Sequence, residues 1–194
     1  MNKRMSVFYL GAAAALVLGL LGQPGAAVVS GEVPETFTAL AADLSTTGNG
    51  GTGRIDITIT RWSTPEEREQ LRTVLVENGT EAVYTALQKM KSVGRIRVND
   101  SLGWDLRYSR EVKGDDGRRI VFATDRPIST AEAVRQPRSI DYKFTVGELR
   151  FTGDKGEGSL SPAVKLRYDQ GDQTLELENL ASEPIRLLDV RGRK

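Results

Sequence analysis

From Arg95 onward, apolar and polar side chains alternate in short runs, and each run stops at a cluster of Gly, Asp or Pro. Successive side chains of a strand point to opposite faces, so this alternation marks strands with one buried and one wet face. Arg95 to Val98 is a short strand. Trp104, Leu106 and Tyr108 then alternate with Asp105, Arg107 and Ser109, and Leu160, Pro162, Val164, Leu166 and Tyr168 repeat the pattern later. The links Gly114-Asp115-Asp116-Gly117, Gly153 to Gly158 and a turn around Gly171 are of hairpin length, which implies antiparallel pairing. Ile120 to Ala123 is apolar at every position and reads as a central strand covered on both faces. Tyr142, Phe144 and Val146 share one parity while Leu149 and Phe151 have the other, so a β-bulge or bend is expected at Gly147. Pro162 marks an edge strand or a bulge. Leu175 and Leu177, then Ile185 to Val190, complete the strands.

One strand precedes this region, in which Ile55, Ile57 and Ile59 alternate with Asp56, Thr58 and Thr60. A helix follows. Thr64 is a good N-cap, Pro65 suits the first helical position, and Glu67 completes a capping box. Leu71, Val74, Leu75 and Asn78 form one face, and Gly79 ends the helix. Thr80 is expected to cap a second helix, with Val83, Leu87 and Met90 in line and Gly94 closing it. The expected fold is α+β: a curved antiparallel sheet or partly closed β-barrel of about seven to eight strands, with a helical hairpin after the first strand.

The N-terminus has the form of an export signal. Lys3 and Arg4 precede an uncharged run of 15 residues, Val7 to Leu21, and Gly25 and Ala27 fit a signal-peptidase site. The run is shorter than the roughly 20 residues of a spanning helix, so residues 1–27 are expected to be a cleaved signal peptide, leaving no membrane span. No Cys follows it, which excludes a lipoprotein anchor. Residues 28–53, ending in a Gly/Thr-rich stretch, read as a flexible leader, with at most a short helix over Glu35 to Asp43. Residues 54–190 read as one domain, and the basic tail 191–194 as a frayed end. The expected location is the periplasm or the medium.

The chain has no His and no Cys, with 27 Lys+Arg against 26 Asp+Glu. That excludes a Ser-His-Asp triad, a Cys nucleophile and a Cys or His metal cage. Cleavage after Ala27 removes Lys3 and Arg4 and takes the formal net charge from +1 to −1, which argues against nucleic acid as a partner. No cofactor motif is present. Glu66 and Glu67 belong to a helix start, and Asp115, Asp116, Asp154 and Glu157 to turns without calcium-loop spacing. Asp125 beside Arg126, at the end of the covered strand, can fix an ion pair or a polar ligand, and the same residues can simply end the strand. Arg135 and Arg138 can join Arg126 in an anion patch. Trp104, Tyr108 and Tyr142, with Phe122 and Phe144, can line an apolar pocket or fill the core.

Arg61-Trp62-Ser63-Thr64-Pro65-Glu66-Glu67-Arg68, Gly103-Trp104, Ala123-Thr124-Asp125-Arg126-Pro127-Ile128 and Asp141-Tyr142 resemble a group of exported bacterial proteins of unknown function, over residues 54–190. The resemblance implies no activity, ligand or site residue. The leading expectation is an exported, non-enzymatic domain that binds a protein or another envelope component. The alternatives are a carrier of a small apolar, lipid-like ligand and a His-free hydrolase using paired carboxylates.

Overall fold

The computed structural model describes residues 33–42, 52–99, 101–114, 117–128, 143–153, 155–169, 174–179 and 184–193. The strands are β1 (Glu35–Ala42), β2 (Thr52–Ile59), β3 (Gly94–Val98), β4 (Trp104–Gly114), β5 (Gly117–Thr124), β6 (Phe144–Thr152), β7 (Lys155–Asp169), β8 (Thr174–Asn179) and β9 (Ile185–Arg193). The helices α1 (Pro65–Asn78) and α2 (Thr80–Lys89) lie between β2 and β3. Neighbours run β6-β5-β4-β3-β2-β1-β9-β7, and β6 pairs back onto β7, so eight antiparallel strands close a barrel. The long β7 makes closure possible. Its Gly156–Leu160 stretch pairs with β9, and its Val164–Asp169 stretch carries β8 outside the ring.

The wall of β4 to β7 is buried on both sides. Phe37, Ile57, Ile96, Leu106, Ile120, Phe122, Leu149 and Leu187 point inward and fill the barrel. On the outer side, Leu71, Leu75, Val83 and Leu87 of the helix pair cover Tyr108, Val121, Ala123, Phe144, Val146 and Val164. Each buried side chain of this size contributes about 1.5–3 kcal/mol. The parity change along β6 is therefore a change of core, with no register shift against β5. Val146, Gly147 and Glu148 pair with Ala123, Phe122 and Val121 without a shift. No bulge falls at Gly147, whereas the bulge expected at Pro162 is present on β7, where Val146 faces Ser161 but Phe144 faces Val164. A second bulge, at Arg107, takes Tyr108 out of the parity of Leu106, so Leu106 faces inward and Tyr108 faces the helices.

Several expectations need correction. The leader assigned to 28–53 contains β1, and β2 starts at Thr52, ahead of the expected domain start at Arg54. The segment Glu-Thr-Phe-Thr-Ala-Leu-Ala-Ala is rich in helix formers, but its period of two buries Phe37, Ala39 and Ala41 between two neighbouring strands. The helix pair consequently follows the second strand. The tail is not frayed through Arg193, because Arg191, Gly192 and Arg193 pair with Thr38, Phe37 and Thr36. Thr80 is the first residue of α2 and caps nothing; Gly79 joins the helices, donating its N–H to Leu75 O. Gly94 opens β3, where a Cβ would stand 2.1 Å from Thr58 O. Residues 1–27, Arg135, Arg138 and Tyr142 lie outside the described residues. Among the described residues no helix is long and apolar enough to cross a membrane.

Candidate functional site

β1 begins with Glu35 at the parity of Phe37, and β5 carries Arg118 at the parity of Ile120 and Phe122. Both charged side chains therefore enter one end of the barrel. Arg118 Nη1 and Nη2 donate to Glu35 Oε1 and Oε2 at 2.7 and 2.5 Å, and its Nε donates to Glu111 Oε1 at 2.5 Å. The rings of Phe37 and Phe151 stand 5.6 Å apart, and the guanidinium lies 5.6 and 5.8 Å from their centres. The Phe151 ring occupies the space a Cβ of Gly156 would take, 2.6 Å from Cε1. Hydrogen bonding to Glu35 raises the Arg118 pKa, burial works against it, and the charge of Glu111 adds to the rise. The ion cluster thus plugs the barrel end. Removing Arg118 would leave the buried Glu35 carboxylate without its partner, a loss of about 3–5 kcal/mol.

Arg119, the next residue, points to the outer face. It lines a cleft of about 720 Å³ at the rim, together with Val112, Gly117, Arg118, Arg150, Thr152, Lys155, Gly156 and Glu157. The β4–β5 and β6–β7 hairpins supply this rim, and Arg119, Arg150 and Glu157 meet as register partners across β5, β6 and β7. Behind them Glu148 is buried, accepting from Arg150 Nε at 2.6 Å, with Arg119 Nε at 3.9 Å. The hydrogen bond from Arg150 to Glu148 outweighs desolvation and raises the Arg150 pKa, so this cation stays charged. The cleft lining holds four cations and one carboxylate, with guanidinium forks suited to planar oxyanions.

Of the residues singled out in the sequence, those that are described are not brought together in one site. Asp125 is buried, its Oδ2 accepting from Arg107 Nε at 3.1 Å, while Oδ1 stands 3.6 Å from Arg126 Nε. Arg107 also donates to Met90 O at 3.0 Å, tying the end of β5 to the end of the helix pair. The following turn is latched by Thr145, whose Oγ1 accepts from Ile128 N and donates to Pro162 O, both at 2.7 Å. Asp125 and Arg126 thus lie at the strand terminus, where Asp125 Oδ1 is buried without a hydrogen-bond partner among the described residues. Trp104 packs with the barrel interior, whereas Tyr108 and Phe144 lie between wall and helices. Burial pushes the Tyr108 phenol up, with Arg110 as its opposing polar neighbour. The cavity beside Tyr108 is about 20 Å³ and lined by apolar side chains such as Leu71, Leu87 and Phe144. That is room for about one water and far below a lipid-sized pocket of roughly 300 Å³ or more. Glu35 and Glu111 do converge, but both bind Arg118 in place of facing open space.

Comparison with family models, with curated proteins and with solved structures finds no match for this chain.

Proposed function

We propose that this protein is an exported, non-enzymatic binding domain of the cell envelope, and that its rim cleft takes a carboxylate or phosphate group of a macromolecular partner. One observation carries the reading: Arg119, Arg150 and Lys155 line the cleft beside Glu157, while Arg118 at its floor is already bound by Glu35 and Glu111. Arg119 supports it most directly. Its contact with Glu148 is 3.9 Å, longer than a hydrogen bond, so its donors remain for an oxyanion. Glu148 is meanwhile engaged by Arg150, which limits its competition for Arg119. The buried carboxylates hold the cations in place before any ligand arrives, which reduces the ordering cost of binding.

Two-dimensional NMR of arginine Nε–Hε groups, titrated with inorganic phosphate and with oligoglutamate, tests this. Saturable, salt-sensitive shifts at Arg119 are expected, with both ligands lost in Arg119→Glu/Lys155→Glu at an unchanged melting temperature. If both anions bind that variant as they bind the parent, or bind neither protein, the assignment fails.

A further inference from the structure

Asn78 is the last residue of α1, and Gly79 alone separates it from α2, which starts at Thr80. The Asn78 side chain is exposed. Gly79 has φ 77° and ψ −175°, and nothing lies within 4 Å of the place a Cβ would take there. Its N–H donates to Leu75 O at 3.0 Å, which holds the last turn of α1 closed. An asparagine followed by glycine carries its own nucleophile. The next backbone nitrogen reaches the side-chain amide carbon through a five-membered ring, and glycine has no Cβ to obstruct the approach. The junction therefore combines open space around the reacting atoms with a latch on the nitrogen. Helix ends have the fewest hydrogen bonds and open first, so this latch is released by fraying of a single turn.

We propose that Asn78 is a self-modification site, a deamidation gated by fraying of the last turn of α1. In the frayed state Gly79 N loses its proton to solvent base and attacks Asn78 Cγ. The Cγ–Nδ2 bond breaks and ammonia leaves, giving a succinimide. Water then opens one of the two imide C–N bonds. The product is aspartate or isoaspartate at position 78, with water as the one co-reactant. Either product is ill placed. The last turn of α1 holds no basic residue, so the new carboxylate meets the negative end of the helix with no cation there to offset it. Isoaspartate also routes the main chain through the side chain and adds a methylene to a junction one residue long. The two helices bring Leu71, Leu75, Val83 and Leu87 onto the β4–β7 wall. The barrel interior is a separate core, so the conversion loosens the helix cover and leaves the barrel closed.

The full chain is incubated at mildly alkaline pH, folded and in urea, and its peptides are mapped by mass at intervals. Mapping separates Asn78-Gly79 from Asn49-Gly50, the other such dipeptide in the sequence. A gain of about 1 Da on the peptide holding Asn78 is expected in both samples. The folded protein should convert about five-fold more slowly, the factor for one hydrogen bond worth about 1 kcal/mol. The slowing should match the protection of the Gly79 amide in hydrogen exchange. Asn78→Gln, whose longer side chain closes the ring far less readily, should show no gain there at the parent's melting temperature. Exchange in the converted protein should quicken across α1 and α2 and stay as it was in β1 and β2. No gain at Asn78 in the folded protein overturns the site. Equal rates in both samples, or a folded rate that does not follow the Gly79 protection, overturn the gating. Conversion with unchanged exchange in both helices overturns the loosening of the cover.

Discussion

At Gly147 a Cβ would stand 2.0 Å from Phe122 Cζ, and Phe122 is the residue directly across the ladder. The outer end of the ring covers the glycine inside the barrel, a cross-strand cover that supplies the packing the glycine lacks. Gly147→Ala is expected to destabilise by about 1–3 kcal/mol, the usual cost of forcing an extra methyl into a packed core. Phe122→Leu frees the space, so the alanine should cost less in that background. The measurement is a double-mutant cycle from urea unfolding, with a coupling of at least ~1 kcal/mol expected. Additive losses would show that the ring moves aside freely. Arg118 and Arg119 show the same dependence on facing direction. One step along β5 separates a guanidinium saturated by Glu35 and Glu111 from one whose nearest carboxylate oxygen is 3.9 Å away.

At the scale of an element, α1 begins with a complete capping box. Glu67 N donates to Thr64 Oγ1 at 3.2 Å, and Glu67 Oε2 accepts from Thr64 N at 2.9 Å. Arg61 adds a two-pronged contact, Nη1 and Nη2 to Oε2 and Oε1, both at 2.9 Å. The Arg61 hydrogen bond, opposed by partial burial and reinforced by Thr64 N, lowers the Glu67 pKa below its ordinary 4.5. A carboxylate lowered on folding stabilises the fold above its unfolded pKa and loses that contribution as pH falls through the folded one. Glu67→Gln should therefore cost about 1 kcal/mol at neutral pH, and the gap to the parent should close below about pH 4. Urea midpoints at several pH values measure this, and a gap constant with pH would contradict it. This helix was legible in the sequence because its signals are three residues apart. β1 was not, because its alanines and leucine suit a helix and only distant β2 and β9 define it as a strand. The cleft was hidden for the same reason. Glu35 and Arg118 are 83 residues apart, and Arg119, Glu148 and Arg150 look like solvated strand faces when read one strand at a time. Asp125 was noticed, but its hydrogen-bonding partner is Arg107, 18 residues back, with the adjacent Arg126 only at 3.6 Å. A usable signal did exist in Arg118, which continues the inward parity of Ile120 and Phe122.

At the scale of the whole molecule, closure depends on β9, the last of the described strands, which lies between β1 and β7. Its final residues Arg191, Gly192 and Arg193 pair with the opening of β1, next to the Glu35 that anchors Arg118. Gly192 also sits where a Cβ would come within 3.4 Å of the Phe37 ring. The first and last described strands therefore support each other and, through Glu35, the floor of the cleft. Removing residues 191–194 should be harmless if they hang free. Because they complete the ladder, the truncated protein should lose on the order of 2 kcal/mol, at about 1 kcal/mol per lost hydrogen bond. For a domain of this size that is roughly 4–8 °C in melting temperature. Hydrogen exchange should quicken first at Thr36 and Thr38, where paired amides become exposed, and much less in β5 and β6. The truncated chain should also bind phosphate more weakly, since Glu35 loses the neighbour that holds its strand in register. An unchanged melting curve with unchanged protection at Thr36 and Thr38 would mean that the barrel closes without its last three paired residues.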